Sequence, residues 1–272
     1  MKRKGIIWVL LSVGITINAQ TPSNNLEGYF KNNKKDALYT SIHLDGKGHA
    51  LINEGFQAEY VQNGEKLYVF PDKSVFVFKV EDGKLKGESN WVEKAVFRKN
   101  EVPFSEEPFA FPAYTVDPVL LFDFYKLNYK EGTDEGSFYM FEAEDDYLKK
   151  TMALCDKGLT SACGAYFGLL YLQSAGGLNA LLDENALKGF SKNPQMEEVA
   201  NRMITMGDVR GYGLLGSYLY AIGEEEEAHE IYKQGMEKGD QNCAAVLFQL
   251  ELEKMGSEAE TDPDSSEKKG SL

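Results

Sequence analysis

The sequence predicts a two-part, multidomain fold: a small all-β antiparallel meander, barrel or sandwich, followed by an all-α array of helical hairpins. Three observations carry this. Aromatic and β-branched runs separated by Asx-Gly turns fill residues 26–99. A glycine-ended helical segment then comes round three times, at 153–158, 203–208 and 235–240. Charge divides at the same place: residues 20–100 hold 12 Lys/Arg against 11 Asp/Glu, and residues 101–272 hold 14 against 32.

The chain opens on Met1-Lys2-Arg3-Lys4, and residues 5–17 are apolar except for Ser12 and Thr16. This reads as a secretory signal peptide over 1–19, cleaved after Ala19. The apolar run is shorter than the roughly 20 residues that a bilayer requires. The expectation is export, to the periplasm or the medium, with no membrane span. Loss of Lys2, Arg3 and Lys4 takes the net charge from −14 to −17. So acidic a chain lacks the basic surface that nucleic acid and anionic lipid require. It permits a basic partner, although acidity also serves solubility alone.

In the β domain, 20–100, strands are expected at 38–44, 66–70, 75–80 and 91–97, with turns at Asp45-Gly46, Asn63-Gly64 and Asp82-Gly83. Six to eight strands are expected in all, in a barrel filled by its own side chains. Residues 101–141 are rich in proline and aromatics, among them Phe104, Phe109, Phe111 and Tyr114, and read as a packed linker. Asp117-Pro118 starts a short helix within it, as N-cap and N1.

Aligned on Gly158, Gly207 and Gly239, the helical blocks place Tyr147, Met196 and Ala228 eleven residues before the glycine, and Leu154, Met203 and Gly235 four before. These offsets trace one face of a helix. The glycine is a C′ stop, and Asp208 and Asp240 cap the helix that follows. Four residues after the glycine come Ala162, Gly211 and Cys243, and eight after come Tyr166, Leu215 and Leu247.

The stretch Glu227-Ala228-His229-Glu230-Ile231-Tyr232-Lys233-Gln234-Gly235-Met236-Glu237-Lys238-Gly239-Asp240, with Leu215-Gly216 of the preceding block, resembles the Sel-one-like repeat, a relative of the tetratricopeptide repeat. The likeness covers roughly 143–255, and in the first block Phe167-Gly168 falls one residue late. The resemblance implies a solenoid over 142–256; the uneven glycine spacing, 49 then 32 residues, points to an insertion at 174–193 with a helix near 179–187, and the polar, charged stretch 257–272 reads as a disordered acidic tail. Bacterial secreted members of this family pair cysteines at the spacing of Cys155 and Cys163, which implies a disulfide between them. Cys243, the third of three cysteines, is then a buried free thiol.

Catalytic motifs are absent. Gly211-Tyr212-Gly213-Leu214-Leu215-Gly216 matches a dinucleotide-binding pattern but lies inside a helix pattern, so no cofactor is expected. Ser-x-x-Lys occurs as Ser266-Glu267-Lys268-Lys269, in the tail. His43 and His49 flank the Asp45-Gly46-Lys47-Gly48 turn and could meet there with Asp45, but no metal site is assigned. His229 reads as solvent-facing. The expected function is a non-enzymatic scaffold whose solenoid binds an unknown protein or peptide, with Tyr171 and Tyr218 as exposed contact residues. The rival reading is small-ligand binding by the β domain with the helices as a brace. A hydrolase comes third, without a motif to support it.

Overall fold

The computed structural model describes residues 21–71, 74–101, 110–128, 145–177 and 190–261. The expected signal peptide and the helix expected near 179–187 lie outside the described residues.

The first part is a closed barrel of eight antiparallel strands in simple meander order. They are β1 (Glu27–Asn32), β2 (Ser41–Asp45), β3 (His49–Ile52), β4 (Phe56–Asn63), β5 (Lys66–Phe70), β6 (Phe76–Glu81), β7 (Lys84–Gly87) and β8 (Val96–Asn100). β8 closes the ring by pairing with β1, Phe30 opposite Lys99. Asp82 and Gly83 take φ values of 51° and 68°, the left-handed turn that an Asx-Gly pair adopts cheaply. Eight strands leave an interior just wide enough for side chains. Phe30, Leu44, Tyr60, Phe76, Phe78 and Phe97 fill it, with Phe78 edge-on to Phe97 at 5.6 Å.

The strands expected at 66–70 and 75–80 match β5 and β6 within a residue. Those expected at 38–44 and 91–97 need correction. Leu38 is 70% exposed and lies in the loop before β2. Residues 90–92 form a 3₁₀ turn, and Lys94 at φ 61° bends the chain before β8 starts.

Among the described residues the second part has seven helices: α1 (Pro118–Asn128), α2 (Asp145–Asp156), α3 (Thr160–Ser174), α4 (Pro194–Thr205), α5 (Arg210–Ala221), α6 (Glu225–Glu237) and α7 (Gln241–Thr261). From α2 onward each packs against its successor in the chain. Asp117 caps α1 by accepting the amides of Val119 and Leu120 at 2.8 and 3.1 Å. α2, α4 and α6 end alike. Gly158, Gly207 and Gly239 have φ of 98°, 86° and 91°, and the next amide reaches back to the carbonyl of Leu154, Met203 or Gly235. That double-bonded stop requires a left-handed residue, hence glycine. Gly223 ends α5 the same way (φ 85°), a stop that the alignment did not use. Asp208 and Asp240 accept the amides of Arg210 and Asn242 at 3.1 and 2.8 Å, as caps.

The face read from the offsets is buried at Tyr147, Met196, Ala228, Leu154, Met203 and Gly235. Beside them Met236, three residues before the third glycine, is 46% exposed. α7 continues to Thr261, so the expected boundary at 256 is too early and residues 257–261 are helical. Among the described residues no helix is long and apolar enough to cross a membrane.

Cys155 and Cys163 form a disulfide that joins the last turn of α2 to the first turn of α3, with Cα atoms 4.6 Å apart. Cys243 is a buried free cysteine. Burial and the neighbouring Asp240 carboxylate push its thiol up to about 12, so almost none is thiolate at neutral pH. The folded protein is therefore expected to resist thiol labelling. Denaturation should expose one reactive thiol, and denaturation with reductant three. A reactive thiol in the folded chain would contradict both assignments.

Candidate functional site

Because side chains alternate along a strand, every second residue of β3, β4 and β5 points away from the barrel interior. Val61 joins the core of the helical part, where Tyr68 and Phe70 pack alongside it. Tyr68 meets Phe122 and Tyr125 of α1 at 5.6 and 4.7 Å. The described part of the expected linker is thus packed between barrel and helices.

A polar cluster sits on this contact. Glu59 of β4 is a buried carboxylate whose Oε1 accepts the Tyr114 hydroxyl at 2.8 Å and whose Oε2 accepts the Ser161 hydroxyl of α3. Arg210, at the start of α5, reaches Glu59 Oε1 at 3.4 Å and donates to the Tyr114 oxygen at 2.9 Å. Its Nε and Nη2 also grip Asp208, at 2.9 and 2.6 Å. Side-chain exposure is 7% for Glu59, 1% for Asp208 and 43% for Arg210, so one partly wet cation serves two dry anions. Burial opposes the guanidinium charge, but Tyr114, Asp208 and Glu59 outweigh it and raise the Arg210 pKa. Burial first, then the charge of Glu59, pushes the Tyr114 hydroxyl well up, which keeps it a donor. Barrel, linker and two helices therefore meet in one hydrogen-bonded network.

Beside it lies the Asp45–His49 turn. Asp45 Oδ1 accepts the amides of Lys47 and His49 at 2.7 and 2.9 Å, and Oδ2 accepts from His49 Nδ1 at 2.9 Å. Burial would raise the Asp45 pKa, but these bonds prevail and lower it. The His49 ring stands edge-on to Tyr114 at 4.7 Å, its Nε2 buried without a partner. His43 lies between Tyr29 and Phe111, at 4.3 and 4.7 Å, with Nδ1 likewise buried and unpartnered. A half-open cleft of about 500 Å³ runs along this wall, lined by Glu27, His43, Asp45, Lys47 and residues 111–115.

The turn brings His49 to Asp45, whereas His43, which was expected to meet His49, packs on Tyr29 and Phe111. Among the described residues, no group of three or more His, Cys, Asp or Glu could hold a metal. Tyr218 is corrected: it is 0% exposed, and its hydroxyl accepts the Asn193 amide at 3.2 Å. Tyr171 is half-buried against Phe190 at 4.8 Å. Both tyrosines belong to the core rather than to an open contact surface. His229 is also partly buried, with Nε2 unpartnered. The glycines of the dinucleotide-like pattern are packing positions: a Cβ at Gly211 would meet the Ala200 carbonyl oxygen at 2.7 Å. Glu59, Ser161 and Arg210 were not singled out from the sequence, and Tyr114 was named only as a linker aromatic. Their partners lie 55, 102 and 151 residues away, beyond any local pattern.

Burial lowers the His43 pKa below the ordinary 6.5, against the pull of Asp45 and Glu27. The unfolded chain therefore takes up a proton near pH 6.5 that the folded chain refuses. This contribution to stability is whole above that pH and fades as pH falls through the lower folded value. Urea midpoints are expected to drop as pH falls below the ordinary 6.5, and His43→Gln should flatten that drop. An unchanged slope in the variant would refute the assignment.

No family model, curated protein or solved structure matches the chain.

Proposed function

We propose that this chain is an exported, non-enzymatic interaction scaffold, a short Sel-one-like solenoid braced on a closed β-barrel, which binds a protein or peptide on its helical half. The observation that carries the reading is the recurrence of one helix ending at Gly158, Gly207 and Gly239, each followed by a helix packed closely on the last. Close approach is built in by absent side chains. A Cβ on Gly216 would lie 2.5 Å from the Tyr232 ring, and one on Gly235 would lie 2.4 Å from Cys243 Sγ. Such stacks present one residue per repeat at equivalent positions of an extended surface. Nine residues before each glycine stand Lys149, Glu198 and Glu230, all exposed. A filled barrel interior supports a bracing role for the β part.

The test is a cross-linking capture with the full mature chain, followed by affinity measurement with the purified partner. Glu198→Lys with Glu230→Lys is expected to weaken binding at least about tenfold. Phe56→Ser with Trp91→Ser, on the barrel, should leave it unchanged. The opposite pattern would overturn the scaffold reading.

A further inference from the structure

The cleft beside His43 holds both signs of charge. Glu27, at the start of β1, and Lys47, in the β2–β3 turn, are both exposed and both line it, yet neither forms an ion pair with a described residue. Behind them Asp45 is a fixed anion, its oxygens already taken by two amides and the His49 ring. Phe111 and Tyr114 of the linker line it as well. His43 forms part of the same wall, its ring packed between Tyr29 and Phe111. A volume of about 500 Å³ is within the range of small-molecule sites.

We propose that this cleft binds a small zwitterion, an ammonium and a carboxylate on one short skeleton, the chemistry of a free α-amino acid. The ammonium faces Glu27, in the field of Asp45, where carboxylates favour a cation. The carboxylate faces Lys47. Neither a simple cation nor a simple anion uses both walls. The barrel interior takes no part, since its own side chains fill it. The proposal does not rest on the scaffold reading, because the cleft lies on the barrel and linker and the scaffold surface on α2, α4 and α6.

The experiment is calorimetric titration of the full mature chain with individual α-amino acids, butylamine and butyrate, with His43 ring signals followed by NMR. At least one amino acid is expected to bind saturably and to move the His43 signals. Glu27→Gln and Lys47→Met should each weaken it about tenfold or more. Both positions are exposed, so melting curves should match the parent. Absence of saturable binding up to about 10 mM overturns the site. Binding indifferent to both variants, or butylamine binding as tightly as the amino acid, overturns the zwitterion.

Discussion

Replacing Arg210 with methionine is expected to lower stability by about 3 kcal/mol and to uncouple the barrel from the helices. Asp208 and Glu59 are nearly dry and share this cation, so its loss leaves two buried carboxylates uncompensated. Removing one partner from a buried ion pair costs about 3–5 kcal/mol, and the lower end applies because Arg210 itself is partly wet. In a chain prepared without residues 1–19 Trp91 is the single tryptophan, so its fluorescence reports the barrel while far-ultraviolet dichroism reports the helices. In the parent the two urea transitions should coincide, and in the variant they should separate. Arg202→Met is the control. Arg202 bridges Asp156 and Glu198, both exposed, and its loss should change stability by under about 1 kcal/mol. Adding Glu59→Gln to Arg210→Met should cost less than the two changes separately, because it removes one stranded charge. Coincident transitions in Arg210→Met would mean that apolar contact, such as Tyr68 on Tyr125, suffices to couple the halves.

What the sequence made legible follows the range of the interactions. Asp82-Gly83, Asn63-Gly64, Asp117-Pro118 and the three stopping glycines are set by backbone sterics and caps within a few residues, and all were readable. β1, β3, β4 and β7 were harder. Lys84-Leu85-Lys86-Gly87 is a strand only because β6 and β8 hold its two edges. Trp91 and Leu38 have strand-forming chemistry, yet turns claim them. Tyr218 was read as an exposed contact residue of the solenoid, and a helical tyrosine does carry a polar tip that water can satisfy. Here the Asn193 amide, 25 residues earlier, satisfies that tip and lets the ring be buried. The Glu59 cluster was illegible for the same reason at greater range. A lone Glu between Ala58 and Tyr60 carries no mark of a partner 151 residues on.

The same substitution at two glycines of the helical blocks should have opposite effects. Gly→Ala inside a helix gains about 0.5–1 kcal/mol where the methyl group meets nothing. At Gly168 of α3 there is no atom within 4 Å of the added carbon, so Gly168→Ala should stabilise by about that amount. At Gly216 of α5 the added carbon would lie 2.5–2.8 Å from three atoms of the Tyr232 ring. That ring is buried and its hydroxyl holds Ser217 Oγ at 3.2 Å, so it has no room to retreat. Overpacking there costs about 1–3 kcal/mol or more and exceeds the helical gain, so Gly216→Ala should destabilise by about 2 kcal/mol. The contrast has a sequence cause. Leu215-Gly216 follows Gly207 by eight and nine residues, whereas Phe167-Gly168 follows Gly158 by nine and ten. One extra residue rotates a helical position by about 100°, which turns Gly168 off the packing face that Gly216 occupies. Chemical denaturation of both variants decides it. If both destabilise, Gly168 is held by the fold as tightly as Gly216. If both stabilise, the α5–α6 contact yields, and the close approach that supports the stacked-hairpin reading is lost with it.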